Sequence, residues 1–188
     1  MQAAVFLDRD GVLNRSLVRD GKSYAPRRME DFKLLPYAVT SVEKLLKVGF
    51  LVIVVTNQPD INNGLVSIES VNAMHSILKE KTHVTDIFLC PHSQNEGCHC
   101  RKPKPGMLMA AAKKYNIDLQ KSFMVGDRSS DVDAGLEAGC RAIFLNRHYK
   151  EPSPLKQEKT FSSLNSVTNY IIHQTFTHQK QQTNAKHK

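Results

Sequence analysis

An apolar run of strand type, Ala3 to Leu7, ends abruptly in Asp8-Arg9-Asp10-Gly11. A strand alternates its side chains with period two, so Asp8 and Asp10 at its carboxyl end are expected to converge on one small volume. Two anions that close repel each other unless a cation or a shared proton lies between them. A pair of this kind can also be a loop-edge cap, so it gains weight only from matching strand ends elsewhere in the chain. Two later apolar runs end in the same manner. Phe50 to Val55 leads into Thr56-Asn57-Gln58, and Ser122 to Val125 leads into Gly126-Asp127, with Asp131 four residues further on.

A second group is Cys90-Pro91-His92 followed by Cys98-His99-Cys100-Arg101-Lys102. C-x-H and C-x-C across a short gap offer three thiolates and one imidazole, a closed tetrahedral set suited to structural zinc. His99 lies between two ligand positions and is expected to point away, which leaves Cys90, His92, Cys98 and Cys100 as the set. The loop 90–100 has little apolar sequence in which to bury free cysteines. A metal there substitutes for a core and pins Arg101 and Lys102 just beyond the last ligand.

The elements that must position these groups follow from periodicity. Apolar residues recur at helical spacing from Tyr37 to Val48, with Gly49 as a stop. The run from Phe50 to Val55 is β-branched and continuous, the mark of a strand buried on both faces of a parallel sheet. A helix is expected from Ser67 to Lys81, with His75 as one of its half-buried residues, then a strand from Val84 to Leu89. A helix over Pro105–Tyr115, a short strand at Ser122–Val125, a helix over Asp131–Ala138 and a strand at Ala142–Leu145 complete the alternation. Strands alternating with helices define an α/β fold: a parallel sheet with helices on both faces. The polar segment Arg15–Asp31 shows no clean period and is read as a loop carrying Arg15, Arg19, Lys22, Arg27 and Arg28. Leu164–Ile172 is expected to be a last helix.

With 188 residues and 40% apolar content, the chain fits one domain over 1–176, followed by a basic tail at 177–188 expected to be disordered. No apolar run approaches the roughly 20 residues needed to span a bilayer, and the start lacks the pattern of a signal peptide. A cytoplasmic monomer is the expectation. The net charge of +8 owes much to the tail. Aromatic residues are not interleaved with the basic ones there, so no nucleic-acid partner is expected.

Taken in order, D-x-D, a strand-end Thr, a Lys and G-D-x-x-x-D resemble the motifs of the haloacid dehalogenase superfamily of phosphatases, over Ala3 to Leu145. That resemblance implies a three-layer Rossmann-like fold and a magnesium-dependent phosphatase. In it Asp8 is the nucleophile and Asp10 the general acid and base. Thr56 and Lys102 serve the transferred phosphoryl group, and magnesium is held by Asp8, the main-chain carbonyl of Asp10 and Asp127. Asp131 is either a helix cap or outer support for the metal. The opening F-L-D-R-D-G, the zinc loop and C-R-K-P-x-P-G-M resemble more narrowly the D-glycero-D-manno-heptose 1,7-bisphosphate 7-phosphatases, with histidinol-phosphate phosphatases as the related alternative. This narrower resemblance implies no separate cap domain and a small anionic sugar-phosphate substrate. Arg101 and Arg128 would contact it, with Asn57 at the same site. Two departures stand out. The Arg15–Asp31 segment is longer than in the usual heptose enzymes, and Asn63 replaces a basic residue. A zinc-containing binding module without catalysis, or a phosphatase of nucleic-acid ends, are the readings from other classes.

Overall fold

The computed structural model describes residues 1–185, and residues 186–188 lie outside it. Six strands form one parallel sheet. They are β1 (Ala4–Leu7), β4 (Leu51–Asn57), β5 (Asp86–Cys90), β6 (Phe123–Gly126), β7 (Arg141–Leu145) and β8 (Lys159–Phe161), in the spatial order β5-β4-β1-β6-β7-β8. Successive residues of β1 enter opposite cores, as period two requires. Val5 and Leu7 pack with α1 (Ala38–Lys47), α2 (Ile68–Thr82) and α5 (Leu164–Ala185) on one face. Ala4 and Phe6 pack with α3 (Gly106–Tyr115) and α4 (Ser129–Glu137) on the other. The three layers expected from the alternation are present.

Because β1 has β4 on one side and β6 on the other, the chain order reverses beside it. In open α/β sheets such a switch point leaves a crevice at the carboxyl ends of the strands. In register, Leu7 lies between Val54 and Val125, which brings the residues that follow all three strands to one edge.

Three differences from the sequence reading have local causes. The segment 15–31 contains an antiparallel hairpin, β2 (Leu17–Arg19) and β3 (Lys22–Tyr24), turned at Asp20-Gly21, both with positive φ. Asp-Gly is a favoured hairpin turn, but strands three residues long and largely exposed leave no apolar alternation to read. The helix α4 begins at Ser129, two residues early, because the Asp131 side chain caps it from within its first turn. The helix α5 extends to Ala185, over part of the segment expected to be disordered, where neither Gly nor Pro interrupts it after Leu164. No helix of the described residues is long and apolar enough to cross a membrane.

Candidate active site

After Leu7 the chain leaves strand geometry in a tight turn: Leu13 and Asn14 both donate from their main-chain N–H to the Arg9 carbonyl. Gly11 sits in this turn at φ +84, and a Cβ there would lie 1.8 Å from Asp127 Oδ2. Only glycine lets the turn pass beneath that carboxylate. Gly126 has a similar constraint, since its Cβ would fall 2.1 Å from the Asp131 Cβ.

Four charged side chains meet over the ends of β1, β4 and β6. Lys102 Nζ donates to Asp8 Oδ1 at 2.7 Å, to Asp131 Oδ1 at 2.6 Å and to the Val55 carbonyl at 2.8 Å. All three of its hydrogens are used. Burial alone would lower the Lys102 pKa, but Asp131 and Asp8 outweigh it and hold the ammonium charged. Asp8, Asp127 and Asp131 bring one carboxylate oxygen each to within 4.8 Å of one another. Burial pushes the Asp8 carboxyl up to about 6 against the pull of Lys102, with Asp131 and Asp10 adding to the rise, and burial with the neighbouring Asp8 and Asp131 pushes Asp127 well above the usual carboxylate range. Asp127 Oδ2 is buried and has no hydrogen-bond partner among the described residues, although the Tyr149 hydroxyl interacts with this carboxylate. Three carboxylates and one ammonium leave two negative charges out of water, which is the charge a divalent cation would balance. An oxygen donor set with one unpaired acceptor fits a hard cation such as magnesium.

The carboxylate completing this cluster is Asp131, which also accepts from its own helix at Arg128 N–H (3.0 Å). The cap role left open for it is filled, and the same side chain pairs with Lys102. The Asp10 side chain lines the same cleft but stays outside this cluster, because period two ends with the strand. The Arg9 guanidinium holds it at 3.0–3.2 Å, Asn14 Nδ2 at 2.8 Å and Gln58 Nε2 at 2.7 Å. Arg9 itself is fully buried, lies 5.7 Å from the Phe32 ring centroid and places Nη1 3.1 Å from His75 Nε2. Burial lowers His75 to about 4 and Arg9 reinforces this, so its ring is neutral and its Nε2 accepts.

Asn57 lines the cleft, yet both ends of its amide serve the Lys102 main chain, with Nδ2 to the carbonyl at 3.0 Å and Oδ1 from the N–H at 3.1 Å. This makes it a fastener between β4 and the loop as well as part of the cleft wall. Thr56 is fully buried and off the cleft wall. Its oxygen accepts from Gln58 Nε2 at 2.9 Å.

The zinc-type set is assembled as spaced. Cys90, His92, Cys98 and Cys100 converge, with Sγ and Nδ1 separations of 3.2–3.7 Å and no disulfide. The edges of a tetrahedron around an ion at about 2.3 Å are about 3.8 Å, so the spacing suits one metal. His99 is exposed, as its position between ligands predicts. The chain runs from Cys100 directly to Arg101, whose Nη1 donates to the His92 carbonyl at 3.3 Å, and to Lys102.

A cleft of about 590 Å³ opens above these groups, lined by Asp8, Asp10, Lys102, Arg101, Arg128 and, from the hairpin, Lys22 and Tyr24. Of the first-segment cations only Lys22 faces it. Arg27 pairs with Asp60 at 2.6 Å, and Arg28 pairs with Glu30. Arg128 donates to the Ser23 carbonyl and to Glu151, fastening the hairpin over the cleft. Sequence reasoning missed Arg9, Gln58 and Glu151. Gln58 was within reach of it, two residues after Thr56 on a strand end.

A parallel sheet with its carboxylates and lysine at the switch point is the architecture of HAD-type hydrolases, and the HAD-hydrolase-like family model matches residues 99–169, which carry Lys102, Asp127 and Asp131. The chain is 38% identical over 152 residues to D-glycero-alpha-D-manno-heptose-1,7-bisphosphate 7-phosphatase of Photorhabdus laumondii, covering 74% of this chain and 80% of that one. It is 32% identical over 169 residues to the D-glycero-beta-D-manno-heptose-1,7-bisphosphate 7-phosphatase of Helicobacter pylori strain 26695, covering 86% and 94%. The crystal structure of D,D-heptose 1,7-bisphosphate phosphatase from B. bronchiseptica complexed with magnesium and phosphate superposes with a TM-score of 0.80 at 28% identity, over 92% of this chain and 99% of that one. The chain belongs to the D-glycero-D-manno-heptose 1,7-bisphosphate 7-phosphatase family of HAD-like phosphatases.

Proposed function

We propose that this phosphatase removes the 7-phosphate of D-glycero-D-manno-heptose 1,7-bisphosphate, with magnesium at Asp8, Asp127 and the Asp10 main chain, and structural zinc at Cys90, His92, Cys98 and Cys100. The unpaired Asp127 oxygen and the uncompensated buried charge support the divalent site. Bound there, magnesium would neutralise the carboxylates enough for an anionic phosphate to approach Asp8. The Asp8 carboxylate attacks phosphorus as the bond to the C7 oxygen breaks, and Asp10 gives its proton to the departing alkoxide. Water then attacks phosphorus of the aspartyl-phosphate, Asp10 takes back a proton, and the Asp8 carboxylate and inorganic phosphate are released. Lys102 balances the charge that builds on the phosphoryl oxygens. By the resemblance Thr56 would serve the same oxygens; its hydroxyl lies just behind the cleft wall, accepts from Gln58 and keeps a hydrogen for which no acceptor is found among the described residues.

The observation that carries the choice of substrate is the charge on the cleft wall. Lys22 and Arg101 meet no carboxylate among the described residues, while Asp60 and Glu151 are paired with Arg27 and Arg128. Free cations suit a second phosphate, and a histidinol ammonium would find no free anion. The test is kcat/KM on both heptose bisphosphate anomers, heptose 7-phosphate and histidinol phosphate. We expect the bisphosphates to lead. A lead of about tenfold for histidinol phosphate, about 1.4 kcal/mol of transition-state preference, would refute the assignment.

A further inference from the structure

Gln58 belongs to none of the motifs that mark the family here, yet it is 1% exposed and touches two groups with proposed roles in the reaction. Its Nε2 lies 2.7 Å from Asp10 Oδ2 and 2.9 Å from Thr56 Oγ1. The orientation of this amide is forced. Asp10 as a carboxylate can only accept, so the atom facing it must be the NH2 group, and an amide nitrogen has two hydrogens to give. One goes to the carboxylate and the other to the hydroxyl oxygen.

We propose that Gln58 is a positioning residue that sets the hydrogen-bond direction of Asp10 and Thr56 together. The inference rests on the roles proposed above for those two residues. By donating to the Thr56 oxygen, Gln58 leaves that hydroxyl its single hydrogen to give, with no acceptor for it among the described residues, so the hydroxyl is left to serve a group that enters from outside the protein. By donating to Asp10 Oδ2 it fixes the arc through which the carboxyl can swing, with the buried Arg9 guanidinium and Asn14 as the other stops. Arg9 is in turn held by His75 and Phe32, and among the described residues Gln58 is the tether that reaches Asp10 from just beyond the end of β4. Without it, Asp10 is still near but no longer aimed.

The consequence can be read from the leaving group. A sugar alkoxide needs the Asp10 proton to depart, whereas nitrophenolate leaves p-nitrophenyl phosphate as a stable anion. Gln58→Met keeps the unbranched shape and removes both donors. We expect kcat/KM to fall about 100-fold for the preferred sugar phosphate and about 10-fold for p-nitrophenyl phosphate, the shared part reporting Thr56 and the excess reporting Asp10. A folding defect lowers the active fraction and costs both substrates equally, so equal losses overturn the proposal. Gln58→Glu keeps the shape but sets a carboxylate against Asp10. It should lose at least as much with the same bias, and wild-type rates in it would also overturn the proposal. Asp10→Asn is assayed alongside: if it shows the bias and Gln58→Met does not, Gln58 alone is misassigned. If Asp10→Asn itself shows no bias, the general-acid reading fails and takes the proposal with it.

Discussion

Lys102→Met is the sharpest perturbation of the charge arrangement, because the methionine keeps the buried stem and deletes only the ammonium. Three hydrogen bonds disappear, two of them to carboxylates that have almost no access to water. Removing one partner from a buried ion pair costs about 3–5 kcal/mol, most of it the cost of the charge left behind. For a domain of this size that corresponds to a fall in Tm of about 6–20 °C. The loss should be largest without metal, when Asp8, Asp127 and Asp131 face one another with no cation at all. It should shrink when magnesium is added, since the ion binds the folded form and supplies part of the missing charge. Differential scanning calorimetry of wild type and variant, each with chelator and with excess magnesium, measures all four states. Turnover should fall by about a thousandfold in the presence of magnesium. A metal-free variant whose Tm lies within about 2 °C of the wild type would show that the carboxylates tolerate one another without Lys102, and the charge argument would be wrong.

Asn57→Ala removes the two bonds that fasten β4 to Lys102, so stability should drop by about 1–2 kcal/mol, with kcat lowered and KM almost unchanged; a raised KM at constant kcat would restore the direct substrate contact. Cys98→Ser opens the four-ligand set, and atomic absorption should find about one zinc per wild-type chain and well under one in the variant, with slower turnover through a displaced Lys102. Equal zinc content in both would remove the metal from the loop. Asp86 is held down to about 2: burial opposes this, but Lys114, Tyr115 and the Ile87 N–H outweigh it. A depressed carboxyl stabilises the fold above its unfolded value of 3.8 and loses that contribution as pH falls through about 2. Asp86→Asn should therefore cost about 1 kcal/mol near neutrality, discounted for the exposed Lys114, and progressively less under acid. A urea-unfolding difference that does not narrow between pH 7 and pH 3 would sink it.

The alternation of apolar runs with helical stripes was enough to give the parallel sheet and its two helix layers, because buried strands and amphipathic helices are written in short-range periodicity. The same holds for the polar residues at the ends of β1, β4 and β6, and for the Cys/His set at 90–100, where spacing within one loop fixes geometry. What periodicity could not reach is whatever depends on the chain after it leaves a strand. Asp10 lines the same cleft as Asp8, as period two suggested, but the turn over Gly11 gives its carboxylate to Arg9, Asn14 and Gln58 and leaves it out of the cluster with Asp127 and Asp131. Asp131 enters the carboxylate cluster only because α4 starts where β6 stops. Asn57 faces Lys102 because a loop from forty-five residues away closes on it. The sequence determined which chemical groups stand at the edge of the sheet, since that follows from local conformation. Only the tertiary structure decided which of them point at the cleft and which hold the others in place, since side-chain direction beyond a regular element is set by packing between segments distant along the chain.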